Sequence, residues 1–493
     1  MNRQAGGASR RRLHLSAACV TLLLGACAVG PDFHRPGAPP DQGYVPQGTS
    51  VPLSGTDKST QRSLPGEELP AQWWQLFHSP TLQQAVEAAL AGSPTLVVAN
   101  ATLAQAQEQV IVARAALLPH LNALAGAQHV SSSNQPLQLA TNEYTLGLSA
   151  SYALDIFGGA RRGVEQQRAL AELQRYQLAA AYLTLTGNVV NQALTIASTR
   201  LQISTTEELI ASDRKNLALT QREFEVGTAA KSDVLTADSQ LAADLTQLPS
   251  LRQQLSAAHD ALAVLTGHTP ALWQTHDFDV AEFAVPAQIP LSLPSQLVRQ
   301  RPDVLAAQAQ LHAASAAIGV AEAQEFPSLT LSGSLTRSAL VPGALFHDFD
   351  TLRDAAGSLS APLYAGGALR AQTRAARDAF RAQDATYQSV VIEALGQVTD
   401  DLWALQHDAD RLVVFQHSVD IAQQALQLQQ QSYKVGKTNV LQLIDAQRTY
   451  AQARLGLATA QVQQLQDTAG LLVALGGAWW KDPSQQLPGD QPL

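Results

Sequence analysis

The sequence predicts an α+β membrane protein built from a duplicated unit of long coiled-coil helical hairpins plus β-hairpins. Three observations carry this. The chain matches itself at an offset near 208 residues, strand-like alternation follows the first helix of each copy, and helical tracts of about 60 residues turn back at glycines.

The composition fits long helices better than a compact enzyme. Ala, Gln, Leu and Ser dominate the 493 residues, with aromatics at 5% and charged residues at 15%. Both cysteines, Cys19 and Cys27, lie near the N-terminus, so no disulfide framework holds the body together. Residues 1–26 read as a signal peptide, with Arg3, Arg10, Arg11 and Arg12 ahead of an apolar stretch from Leu13 to Leu24. Its end, Leu24-Gly25-Ala26-Cys27, resembles a bacterial lipobox, and Cys27 is the expected lipidation site. Ala26-Cys27-Ala28 also fits ordinary cleavage after Ala28. By analogy with other lipoproteins, Ala28 after the cysteine suggests export to the outer membrane. The mature chain carries about −13 formal charge, which argues against a nucleic-acid partner. Beyond the signal no apolar run reads as a transmembrane helix, so a membrane crossing would be made by a barrel.

At an offset of 208, Pro94 falls on Pro302, Pro119 on Pro327, Gly158-Gly159 on Gly366-Gly367 and Arg162 on Arg370. At 209, Phe224-Glu225-Val226-Gly227 falls on Tyr433-Lys434-Val435-Gly436, and Gly267 on Gly476. Each copy opens with an Ala- and Gln-rich helix, Pro94 to Leu118 and Pro302 to Phe326, ended by a proline.

The period then switches to two. Tyr144, Leu146, Leu148, Ala150, Tyr152 and Leu154 alternate with small or polar residues, as do Leu329, Leu331, Gly333 and Leu335. Weaker alternation at Leu121 to Ala127 and Ala355 to Leu363 completes a hairpin in each copy, four strands in all. Such strands suit a barrel between lipid and a wet lumen, or a small soluble β-layer. Four strands cannot close a barrel, so the chain must oligomerise to hide its edges.

Long helices follow, Arg162 to Arg222 and Arg370 to Gln431, turning at Val226-Gly227-Thr228 and Val435-Gly436-Lys437. In the first return limb Leu241, Leu245, Leu248, Leu251, Leu255, Ala258, Leu262 and Leu265 approximate a heptad seam, and Pro249 is expected to kink it. The expected organisation is a signal at 1–26, an N-terminal lipidated wrap at 27–80, and a first repeat at 81–267 (β-hairpin 120–155, tip 224–232). A Pro-rich connector at 268–296, a second repeat at 297–477 (β-hairpin 327–363, tip 433–441) and a tail at 478–493 complete it.

Together these residues resemble the TolC/OprM-like outer-membrane efflux factors, particularly the NodT-type lipoprotein subgroup. The resemblance rests on Cys27 followed by Val29-Gly30-Pro31-Asp32-Phe33 and Pro36, and on Trp73-Trp74 before Phe77. It rests equally on Ser151 to Gly158, Arg301-Pro302-Asp303, Ala321-Glu322-Ala323 ahead of Phe326-Pro327, and the two Val-Gly turns. It covers nearly the whole mature chain. It implies a homotrimer whose chains give four strands each to one 12-stranded outer-membrane β-barrel, continued by a periplasmic α-helical barrel. The implied function is the exit channel of a tripartite RND-type efflux system for drugs or other small molecules, contributing to multidrug resistance. The implied partners are a periplasmic adaptor, an inner-membrane pump and outer-membrane lipid, with no cofactor beyond the covalent lipid on Cys27.

By the same resemblance, Val226, Gly227, Val435 and Gly436 match adaptor-contact tips, and Asp233 and Asp445 match carboxylates that narrow the periplasmic mouth. Gln442 stands where some relatives have another Asp. The plainer reading makes the glycines turn formers and the carboxylates a solvated face. If a ring forms, three copies of each carboxylate would repel anions and attract cations. Trp73-Trp74 and Trp479-Trp480 fit core packing better than interface anchoring.

No catalytic or metal motif emerges: the 12 histidines form no H-E-x-x-H, and Ser212-Asp213-Arg214-Lys215 is an isolated S-x-x-K inside a helix. No Met or His tract suggests a metal relay, which favours organic cargo. The alternatives are a type I protein secretion duct and a structural periplasmic coiled-coil lipoprotein.

Overall fold

The computed structural model describes residues 28–37, 43–45, 61–67, 69–132, 139–273, 277–347 and 349–477. The signal, Cys19, Cys27, Trp479-Trp480 and the tail lie outside these. Two compact units emerge. Unit 1 comprises Met1–Pro36, Ala101–Arg175 and Ala306–Ser389; unit 2 comprises Gly37–Asn100, Tyr176–Leu305 and Val390–Leu493.

The strands are β1 (Arg62–Pro65), β2 (His120–Ser132), β3 (Leu139–Leu154), β4 (Gln288–Leu291), β5 (Ser328–Ala339) and β6 (Asp350–Ser360). The helices are α1 (Pro80–Gly92), α2 (Pro94–Ala115), α3 (Gly159–Glu225), α4 (Lys231–Leu245), α5 (Gln247–Leu265), α6 (Pro294–Gln300), α7 (Pro302–Ala323), α8 (Ala368–Lys434) and α9 (Val440–Ala474).

Unit 1 holds a four-stranded antiparallel sheet in the order β2-β3-β5-β6, so the two hairpins join through β3 and β5. The register places Leu148 opposite Leu335, Ala150 opposite Gly333 and Tyr152 opposite Leu331, which merges the apolar faces of both copies into one. Leu359 of β6 and Leu121 of β2 extend that face at 69% and 71% exposure. Thr330, Ser332, Ser334 and Thr336 line the other side, beside Ala153, Ser151, Ser149 and Gly147. Among the described residues the outer strands β2 and β6 keep one edge each without a strand partner.

The N-terminal segment is fastened within unit 1 by Arg162, a buried residue near the start of α3. Its guanidinium donates to the carbonyls of Val29 and Gly30, each at 3.2 Å, to Asp32 at 2.8 Å and to Glu165 at 2.7 Å. Gly30 has φ 93°, and a Cβ there would stand 2.4 Å from the Cα of Gly319, so only glycine fits. Phe33 stacks on His312 at 4.4 Å, and His312 meets Glu165 at 3.0 Å. Asp155 caps α3 by accepting from the backbone N–H groups of Ala160 and Arg161 at 3.0 Å.

Unit 2 contains the helical hairpins. Trp73, Trp74 and Phe77 are buried, with the two indoles edge-on. Arg301 pairs with Asp303 at 2.9 Å and donates to the Ala474 carbonyl at 3.0 Å and to Gln397 at 2.7 Å. The Arg-Pro-Asp motif thus closes the C-terminal end of α9.

Several expectations need correction. Six strands occur among the described residues, not four: β1 and β4 pair in parallel within unit 2. Each is four residues long and proline-bearing, too short for alternation to reveal. The first helices end at Ala115 and Ala323, three residues early. Leu117, Leu118, Glu325 and Phe326 close three-residue turns instead, because the following proline disfavours helical backbone before it. The first return limb breaks at Thr246, three residues before Pro249, whose ring would collide with the carbonyl of Leu245 in a continuous helix. The seam also shifts there. Asp244 is buried while Leu245 faces solvent, so the core line runs Leu241, Asp244, Leu248. Finally, α7 is long and apolar enough to span a membrane by length and composition, which the reading of the sequence did not register; half of its apolar window is buried against the chain itself, as in a core helix.

Candidate functional site at the hairpin tips

Both hairpin tips lie in unit 2 and share one construction. At the first, α3 ends at Glu225 and Gly227 takes φ 81°; the N–H of Thr228 then donates to Glu223 O at 2.8 Å. At the second, Gly436 takes φ 71° and the N–H of Lys437 donates to Ser432 O at 2.9 Å. Each glycine closes the last helical turn in the left-handed region, where a side chain would be strained. Val226 and Val435, beside them, are exposed.

The residues selected from the sequence take different positions. Asp233 stands in the first turn of α4, and its carboxylate accepts from the backbone N–H of Ala230 at 3.1 Å. Its local role is to cap that helix. In the second copy Asn439 does the capping, accepting from the N–H of Gln442 at 3.0 Å, while the Thr438 hydroxyl donates to the Gln442 side-chain carbonyl. Asp445 is exposed, and its carboxylate makes no ion pair among the described residues. No hydrogen bond or ion pair among the described residues joins Asp233, Gln442 and Asp445 to one another.

Other residues join the two hairpins. The Tyr433 hydroxyl donates to Glu223 at 2.5 Å, and its pKa is raised to about 12 by burial first and by Glu223 second. Phe224, its counterpart in the first copy, has no hydroxyl to repeat the bond. Below it Ala237, Val440 and Ile444 form a small apolar cluster with Leu217, Leu441 and the Tyr433 ring.

A buried polar layer follows. Arg448 of α9 approaches Asp244 of α4 at 3.0 Å. Gln240 and Gln247 donate to the same carboxylate at 3.2 and 3.1 Å. Asp213 of α3, only 3% exposed, faces Asp244; burial first, then the neighbouring carboxylate, pushes its pKa up to about 7 against the opposing pull of Arg448. Gln447 accepts from Ser212 at 3.0 Å and from Asn216 at 2.6 Å. One guanidinium therefore serves two carboxyl groups, and Asp213 holds its proton up to near-neutral pH.

The sequence held one signal for this layer that was not used. An aspartate at 244, three residues after Leu241 and four before Leu248, occupies a seam position where only a buried partner makes a carboxylate tolerable. Nothing local indicated Arg448 as that partner.

The family profile described as "Outer membrane efflux protein" matches residues 85–268 and again 293–477. The pyoverdine export outer membrane protein OpmQ of Pseudomonas aeruginosa is 30% identical over 96% of this chain and 98% of its own length. Nodulation protein T of Rhizobium leguminosarum bv. trifolii is 28% identical over 93% of this chain and 96% of its own. Among solved structures, the outer-membrane channel OprN superposes with a TM-score of 0.82 at 28% identity, covering 92% of this chain and 100% of that one.

Proposed function

The chain belongs to the outer membrane efflux protein family, and from that premise we propose that it works as a homotrimeric exit duct, anchored by lipid at Cys27, for small organic molecules. It is an outer-membrane efflux channel of a Gram-negative bacterium with a periplasmic helical extension. The family and its structural neighbours are channels, not enzymes.

One observation carries the oligomeric reading. The sheet in unit 1 has an exposed leucine-rich face, interrupted by Arg337 opposite Leu146 and Arg353 opposite Leu335, and among the described residues two edges without strand partners. Lipid suits the face, and a copy of the same sheet suits each edge. Three copies give twelve strands, within the size range of closed outer-membrane barrels. A periplasmic spacer would gain nothing from such a surface.

The mouth of the duct is assigned to the hairpin tips. Val226, Gly227, Val435 and Gly436 offer exposed, small or apolar contacts for a periplasmic adaptor, which an inner-membrane pump would supply with cargo. Asp445, exposed and without an ion pair among the described residues, is the better candidate for an electrostatic ring; Asp233 also has its capping role. Opening is then a population shift between closed and dilated tips.

The test is single-channel conductance in planar bilayers, comparing wild type with the Asp233→Ala/Asp445→Ala variant. Small cation-selective currents that grow and lose selectivity in the variant support the duct and the ring. Currents indifferent to the substitutions remove the ring, and silent trimers remove the duct.

A further inference from the structure

Arg370, Arg374, Arg377 and Arg381 follow one another at spacings of four, three and four near the start of α8, which places them on one helix face. Within unit 1 the first three line a cavity of about 430 Å³ that also contains Glu322, Glu325 and Thr373. Glu322 is engaged by Arg377 at 2.7 Å, and Glu325 accepts from the Thr373 hydroxyl at 2.6 Å. Arg381 pairs with Asp378 at 2.9 Å. Arg370 and Arg374 pair with no carboxylate among the described residues, so three guanidiniums face two carboxylates and the cavity favours an anion.

The duplication sharpens the contrast. Arg370 is the repeat counterpart of Arg162, which is neutralised by Asp32 and by Glu165 three residues on. At the position equivalent to Glu165 the second copy has Thr373, and Arg370 lies exposed.

We propose that this cavity binds the phosphate headgroup of an anionic phospholipid in the periplasmic leaflet of the outer membrane. The inference rests on the reading of the sheet as part of a membrane barrel. Its position along the chain supports that occupant. Strand β6 ends at Ser360, Leu363 and Tyr364 follow with 97% and 89% exposure, and Arg370 comes six residues later. A lipid-facing strand, an exposed tyrosine and then arginines is the order met on leaving a bilayer through its interface. Phe326, on the cavity wall and partly exposed, offers an apolar surface to the start of the acyl chains.

The test uses the full-length protein in detergent, with short-chain phosphatidylglycerol or phosphatidylcholine added at equal concentration and bound lipid counted by native mass spectrometry. Bilayer conductance is recorded on the same preparations. Wild type is expected to retain phosphatidylglycerol about tenfold over phosphatidylcholine, as befits two uncompensated arginines near an anionic lipid surface. The Arg370→Gln/Arg374→Gln variant should lose the preference, and Arg381→Gln should keep it. Equal retention of the two lipids by wild type, or a preference surviving the double substitution, overturns the proposal. So does displacement of the lipid by millimolar inorganic phosphate, which would identify a free-anion site. A double variant with fewer chains per particle and unchanged lipid would make the face a subunit contact instead, also against the proposal. Lipid preference intact in a preparation without conductance would count against the channel while supporting the site.

Discussion

Arg448 and Asp244 meet at 3.0 Å across 204 residues of sequence, joining the return limb of the second hairpin to that of the first. Asp244 is 1% exposed, so its charge depends on that guanidinium and on the two glutamine amides. Replacing Arg448 with Met strands the carboxylate and is expected to cost about 3 kcal/mol, the usual penalty for removing one partner of a buried pair. The thermal midpoint followed by circular dichroism should fall accordingly, and single-channel conductance should rise as the hairpins separate. An unchanged midpoint would show that the pair does not hold the limbs.

Asp213 makes the same layer pH-dependent. Its folded pKa of about 7 lies above the ordinary carboxylate value, so the folded state binds the extra proton more tightly. The stability this contributes is fully present below the ordinary carboxylate pKa and is lost as pH rises through about 7. Asp213→Asn, which keeps the neutral form, should raise the melting temperature at pH 8.5 relative to wild type and leave little difference at pH 5. A constant difference across that range would contradict the linkage.

A second carboxyl pair, Asp408 of α8 with Asp467 of α9, should behave alike. Burial and then Asp467 push the Asp408 pKa up to about 7, against Arg411, and one Asp408 oxygen is buried without a hydrogen-bond partner. Asp408→Asn is expected to stabilise the protein at alkaline pH independently of Asp213→Asn. The double variant, melted at pH 8.5, should show the sum of the two shifts, since the pairs share no residue.

Tyr433→Phe deletes the hydroxyl that reaches Glu223 and should cost about 1 kcal/mol. Added to Glu223→Gln, it should cost less than it does alone, because the bond is already weakened. Strict additivity in a double-mutant cycle would mean that the hydroxyl does not couple the tips.

Gly30→Ala should release the N-terminal segment. The new methyl would fall on the backbone of Gly319, and the left-handed backbone at residue 30 penalises it further, a combined cost of about 2 kcal/mol or more. Limited proteolysis should cleave near residues 30–37 faster than in wild type, and an unchanged cleavage rate would refute the clasp.

The duplication, the alternation in β3 and β5, the length of α3 and α8 and the glycine turns were legible in the sequence. Each is periodic or local, so neighbouring residues specify it: Leu146, Leu148 and Leu335 share a face because strands repeat every two residues, and Gly227 and Gly436 end helices because they alone tolerate that backbone. The tip carboxylate Asp233 was found, but its capping bond to Ala230 needed coordinates. The polar layer, the Arg162 clasp and the β1–β4 pair were decided only by tertiary structure. Arg162 and Asp32 are separated by 130 residues, and Asp244 and Arg448 by 204. No spacing rule reaches so far; such pairs form because packing removes water from one charge and brings an opposite charge from a distant part of the chain near enough to satisfy it.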